Sequence, residues 1–113
     1  MIARVLILNP RRDAWDSTWK QSITEDRFRE QVEWGLDGQE RATVIALYFV
    51  PATKSPVTLL ELGLFARTGK MAVCCPDGFW RKGNVEIVCA RYGIQLTADL
   101  AGLIALVRER LVT

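Results

Sequence analysis

No histidine occurs among the 113 residues. That absence removes the Ser-His-Asp and Cys-His nucleophile pairs and imidazole metal sites, so any acid–base chemistry falls on carboxylates. Cysteine is scarce and odd in number: Cys74, Cys75 and Cys89 stand among valine, isoleucine and alanine, with no C-x-x-C spacing. They read as small buried hydrophobes in a reducing compartment, and neither a metal site nor a cofactor is expected. No G-x-G-x-x-G follows a strand and no G-x-x-x-x-G-K-[ST] occurs, which argues against dinucleotide and P-loop sites. A dominant charge is lacking too, because 15 Lys+Arg against 13 Asp+Glu leave +2. Such a balance suits neither a DNA-tracking stripe nor a polybasic membrane surface. No apolar run approaches the ~20 residues of a membrane span, and the opening Met-Ile-Ala-Arg-Val-Leu-Ile-Leu is too short and too charged for a signal peptide. A cytoplasmic protein is expected, with neither a nucleic-acid polymer nor a membrane as partner.

What is present is a balanced globular composition, 50% hydrophobic and 25% charged. A globule of this size buries roughly two-thirds of its unfolded surface, enough for one core without staples, so a single domain over residues 1–113 is expected. Residues 4–8 read as a buried strand closed by Asn9-Pro10. Thr24-Glu25-Asp26 then opens a helix carrying Phe28, Val32 and Leu36 until Gly38. Residues 43–50 (TVIALYFV) are too apolar to alternate, as in a central parallel strand covered on both faces.

Pro51 ends that strand, and Ser55-Pro56 starts a helix to about Arg67, stopped by Gly69. Residues 71–75 (MAVCC) give another strand, closed by Pro76-Asp77-Gly78. Asn84 is placed to cap a helix with Val85, Val88, Cys89 and Tyr92 on one stripe, stopped by Gly93. A minimal strand over residues 94–96 precedes a last helix, from about Ala98 to Leu111, with Leu100, Leu103, Ile104, Val107 and Leu111 aligned and Arg108 and Arg110 near its end. Strands alternating with helices predict an α/β fold of the flavodoxin/Rossmann-like type: a mainly parallel sheet of about four strands with helices on both faces.

In open α/β sheets ligands sit at the carboxyl ends of the strands, which directs attention to the loops at residues 9–16, 51–58 and 76–84. Glu61 is the unusual residue, a carboxylate among four leucines and a phenylalanine in a helix apolar almost all round and so expected to be largely buried. Two readings stand: a capping box, Thr58-x-x-Glu61, or a functional carboxylate near a crevice. Gly63, inside the same helix, is expected to permit close approach of another backbone or a ligand.

Four segments then carry a resemblance: Leu8-Asn9-Pro10-Arg11-Arg12-Asp13-Ala14-Trp15-Asp16, Phe28-Arg29-Glu30-Gln31-Val32-Glu33-Trp34, Ser55-Pro56-Val57-Thr58-Leu59-Leu60-Glu61-Leu62-Gly63 and Gly78-Phe79-Trp80-Arg81-Lys82-Gly83-Asn84-Val85. In this order, spanning roughly residues 5–96, the chain resembles the nucleoside 2-deoxyribosyltransferase-like family. The resemblance implies a compact α/β domain that cleaves or transfers an N-glycosidic bond, with the glutamate of the E-L-G segment, here Glu61, as nucleophile. The chemistry suits the inventory, because a carboxylate under an anomeric carbon stabilises an oxocarbenium-like state or captures the sugar, and needs no histidine.

The resemblance also implies a further strand and helix upstream of Asn9-Pro10, which this chain is expected to lack. An acidic residue is usual where Gly35 stands, and an aspartate where Ser55 stands, leaving Asp13, Glu33 and Asp37 as carboxylates for a second acid. Asn9, Arg11, Asp13, Ser55, Thr58 and Asn84 are expected to bind a nucleoside or nucleotide. Turn formation or ion pairing remains open for Asn9 and Arg11, and helix capping for Asn84. Trp15, Trp34 and Trp80 are expected in packing or interfaces, or stacked on a base. A homo-oligomer is expected, since a sheet edge or apolar helix face left open is readily buried by a second copy. The alternative function is a non-catalytic nucleotide-binding or regulatory module, or a truncated relative of the enzymes.

Overall fold

The structure, a computed structural model, describes residues 18–112, so the strand expected over residues 4–8 lies outside the described residues. Those residues fall into two compact units, one ending at Ala42 and one beginning at Thr43. The first contains helix α1 (Asp26–Arg41). Glu25 occupies its N-cap without a side-chain bond, while the Thr24 hydroxyl pairs with that of Ser22 at 2.9 Å. Asp26, favourable beside the helix N-terminus, pairs with Arg29 at 3.2 Å. The helix passes through Gly38, where a stop was expected. An interior glycine costs only about 1 kcal/mol, and Gln39, Glu40 and Arg41 are good helix formers. The expected stripe is also corrected: Val32 is exposed, and the buried positions are Gln31 and Gly38.

The second unit runs β1 (Ile45–Tyr48), α2 (Pro56–Phe65), a 3-10 turn (Ala66–Thr68), β2 (Met71–Cys74), α3 (Lys82–Tyr92), β3 (Gln95–Thr97) and α4 (Leu100–Val112). The strands form a parallel sheet in the order β1-β2-β3, with Ile45 opposite Met71 and Ala72 opposite Gln95. The α/β class is therefore as the alternating pattern indicates, with three strands among the described residues. Helix α4 covers one face, where Leu103 joins Ala72 and Cys74 in the core and Leu106 and Val107 pack alongside. With the strand order β1-β2-β3 all parallel, the right-handed rule for β–α–β crossovers puts α2 and α3 over the other.

Strand β2 is the fully buried one, all four residues inaccessible, because both neighbours and both faces are occupied. Strand β1 differs from expectation. Ile45, Leu47 and Phe49 are buried, while Ala46, Tyr48 and Val50 are exposed, so only one face is covered. An apolar run does not distinguish the two cases.

Helix α2 departs from expectation for the same reason. Leu62 and Phe65 are buried, whereas Val57, Leu60 and Leu64 are 64%, 62% and 55% exposed. Gly63 approaches nothing, since a Cβ there would meet no atom within 4 Å. The stops at Gly69 and Gly93 hold: both adopt left-handed geometry, at φ 75° and 67°.

Helix α4 starts at Leu100 because Asp99 caps it, its Oδ1 accepting the Gly102 N–H at 2.6 Å. At the other end the Arg110 guanidinium donates to the Met71 carbonyl at 2.8 Å and to that of Gly69, tying the helix to the start of β2. Gly102 is a position where glycine is required. A Cβ there would lie 3.0 Å from Thr97 Cβ and Cγ2 and 3.1 Å from the capping Asp99 carboxylate. Gly102→Ala is expected to destabilise by about 1–2 kcal/mol despite the better helix propensity of alanine, because β-branched Thr97 and the cap must both give way. Urea unfolding checks this, and a stabilised variant would contradict it.

Candidate functional site

The carboxyl ends of the strands are extended by backbone bonds. Phe49 N–H donates to Cys74 O and Cys75 N–H to Thr97 O, both at 2.9 Å. Just beyond β1, Phe49 is wholly buried and its ring centroid lies 4.9 Å from that of buried Phe79, which follows β2. This aromatic pair joins the bases of the loops at residues 49–55 and 75–81.

Within the first loop the Thr53 N–H and hydroxyl both donate to Val50 O at 3.0 Å. The single Thr53 proton being used there, the Ser55 hydroxyl is the donor in its 2.7 Å bond to Thr53. Ser55 occupies the N-cap of α2 without a side-chain cap bond, at φ 44° and ψ 53°. A non-glycine residue in this left-handed region costs about 1–2 kcal/mol, and such strain is concentrated at functional sites.

The two loops meet through Trp80. Its indole N–H donates to the Lys54 carbonyl at 2.9 Å. The Lys54 ammonium lies 4.6 Å and the Arg81 guanidinium carbon 4.5 Å from the ring centroid. Lys82 is committed differently, donating to Cys75 O at 2.6 Å and pairing with Asp77 at 3.4 Å.

Glu61 is half-buried, on the side of α2 that carries half-buried Thr58 and buried Leu62 and Phe65. With Ser55 at the N-cap, Thr58 is the third residue of α2, so the expected Thr58-x-x-Glu61 capping box does not form. Asn84 is likewise the third residue of α3 and exposed, which removes its expected capping role: α3 begins at Lys82 because the Lys82 N–H already bonds to Phe79 O at 3.1 Å. Trp80 is half exposed with cations against its ring, and Trp34 is exposed on α1. Asn9, Arg11, Asp13 and Trp15 lie outside the described residues. Lys54, Arg81 and Phe49 belong to the carboxyl edge although none was among the expected site residues; Arg81 lay within a segment carrying the family resemblance and Phe49 within the expected strand, and their further signal was charge and aromaticity next to the loops after β1 and β2.

All three thiols are buried and free. Burial raises each above the ordinary cysteine range, and Cys89, further opposed by Cys75, is pushed up to about 11. A raised folded-state value gives stability that is fully present below the unfolded value, near 9, and lost as pH rises through 11. Between about pH 8 and about pH 10.5 this group should cost about 2 kcal/mol, a loss absent from Cys89→Ala. Urea titrations at both pH values check it, and parallel curves for the two proteins would contradict it. Among the described residues no group of cysteines and carboxylates is disposed to hold a metal ion.

The parallel α/β sheet gathers its charged and strained groups at the carboxyl edge, the edge at which open α/β sheets bind ligands. A family model described as nucleoside 2-deoxyribosyltransferase like matches residues 2–79, more than half of the chain, and the chain belongs to that family. The match contains β1, α2 and β2, and with them Ser55 and Glu61. The chain has no significant match among curated proteins.

Proposed function

We propose that the chain breaks the N-glycosidic bond of a nucleoside or nucleotide, with Glu61 as nucleophile. The observation that carries this is the position of Glu61: half-buried in the α2 segment of the family match, on the side of the helix that carries Thr58. A Glu61 carboxylate oxygen forms a bond to C1′ as the C1′–N bond breaks. The base leaves with the bonding pair and takes up a proton from solvent, a proton returned when the attacking water or acceptor base loses one in the second step. Water, or a second base in a transferase, then attacks C1′ and frees the carboxylate, as in retaining glycosidases. No cofactor is needed. Thr58 on the inner side of α2 and Asn84 near the start of α3 remain in the proposed binding set with Asn9, Arg11 and Asp13. Ser55 would have to give up its bond to Thr53 to donate to substrate. Incubation with a panel of nucleosides and 5′-monophosphates, monitored for free base with and without an acceptor base, tests the reading and separates hydrolase from transferase. No release from any member would favour the non-catalytic binding module, which the absence of a carboxylate at Ser55 also supports.

Assembly belongs to the same proposal. Val57, Leu60 and Leu64 form an exposed apolar stripe on α2, and exposed contiguous apolar surface marks an interaction face. A homo-oligomer that buries this stripe is expected, seen by light scattering as a multiple of 12.8 kDa at high micromolar concentration and reduced to that mass by Leu60→Glu. A wild type that is monomeric there would contradict it. The free buried thiols are consistent with a cytoplasmic setting, and among the described residues no helix is long and apolar enough to cross a membrane.

A further inference from the structure

We propose that Lys54 and Arg81, held on the Trp80 ring, form a phosphate-binding site, so that the substrate is a nucleoside 5′-monophosphate in preference to a free nucleoside. The inference rests on the glycosidic reading for the identity of the sugar and base, but its evidence is separate. Lys54 precedes the α2 N-cap and Arg81 is the N-cap residue of α3, so the two come from different crossovers, 27 residues apart. With each cation within 4.6 Å of one ring centroid, they lie at most about 9 Å from each other.

Two like charges at that separation repel, and in a chain of net charge +2 no general excess of cations accounts for their pairing. The indole N–H bond to the Lys54 carbonyl and the two cation–π contacts hold them in place before any ligand arrives. Among the described residues neither is ion-paired with a carboxylate; the neighbouring Lys82, which is, shows what a committed cation looks like here. The unanswered charge is close to that of one phosphate monoester, which carries about −1.5 to −2 at pH 7.

Lys54 lies just before the α2 N-cap Ser55 and Glu61 lies on the same helix, about 9 Å along its axis from Ser55, a backbone separation that suits a ligand extending from an anomeric carbon to a distal anion. A nucleoside 5′-monophosphate has that form, whereas inorganic phosphate or a free nucleoside satisfies only one end.

The test titrates wild type, Lys54→Gln, Arg81→Gln and the double variant with matched nucleosides, their 5′-monophosphates and inorganic phosphate, by calorimetry, after circular dichroism shows each variant folded. Wild type should bind the monophosphate about tenfold or more tightly than the nucleoside. That preference should shrink in each single variant, vanish in the double variant and weaken with salt. Equal affinity of wild type for the two ligands, or a preference that survives in the double variant, would overturn the proposal. Inorganic phosphate binding as tightly as the monophosphate would also overturn it, showing an anion site unconnected to the sugar. Base release is read separately. Wild type that prefers monophosphate through these cations yet releases no base keeps the phosphate site and refutes the glycosidic reading, while equal release from both ligands with equal affinity does the reverse.

Discussion

Glu61→Gln is expected to fold like wild type and to lose about 10⁴-fold or more in the rate of base release, the scale on which loss of a nucleophile acts. The substitution keeps the volume and a hydrogen-bonding oxygen but replaces the attacking carboxylate by an amide that does not displace a base. Because Glu61 is half-buried beside Leu62 and Phe65, the near-isosteric change avoids the packing defect that Glu61→Ala would introduce. Thermal unfolding and base release measured on one preparation separate the effects. A variant that melts like wild type and has lost release supports the assignment; a variant that retains release removes Glu61 from the mechanism. Substrate affinity of Glu61→Gln should stay close to wild type, since binding of the distal phosphate is assigned to Lys54 and Arg81.

The second large effect concerns stability. Phe49→Ala should cost about 3–5 kcal/mol, the range for truncating a fully buried phenylalanine, within a total stability of about 5–15 kcal/mol. Phe49 is wholly inaccessible, touches Phe79 and anchors its backbone to Cys74 O, so the cavity would open where both carboxyl-edge loops are rooted. A fall in melting temperature of roughly 10–25 °C is expected. Phe49→Leu, which leaves a smaller void, should lose a fraction of that. A loss below about 1 kcal/mol in Phe49→Ala would show that the aromatic pair does not support the edge.

The parts of the fold legible in sequence were those with a local cause. Met71 to Cys75 read as a buried strand because five apolar residues lie between Gly69 and a proline-aspartate-glycine turn. The ends at Gly69 and Gly93 were legible because left-handed backbone geometry favours glycine. The start of α2 was legible because proline after a capping residue fits only a first helical turn. Burial was less so. Thr43 to Val50 and the α2 segment are apolar on all sides, so their composition carries no record of which face meets the sheet, and both proved half open. At the start of α3, Asn84 gave a capping signal that the preceding turn through Phe79 and Lys82 overrode.

The candidate site divides along the same line. Glu61 stood out because a carboxylate among leucines is chemically conspicuous in one segment. Lys54 and Arg81 did not, because what distinguishes them is a shared indole ring 26 residues from one and adjacent to the other, a relation created by the crossover. Nor does sequence announce the left-handed Ser55, since serine has little preference for that region.

The most direct measurement is the mass of the intact protein quenched with acid during turnover of a nucleotide that releases its base. If Glu61 attacks C1′, a fraction of wild type will carry one added sugar, phosphorylated when the substrate is a 5′-monophosphate, and proteolysis will place it on the peptide containing Glu61. Glu61→Gln will carry none. An adduct on another residue, or steady base release with no adduct under conditions where the intermediate is trapped with a slow acceptor, would contradict the assignment of Glu61 as the nucleophile.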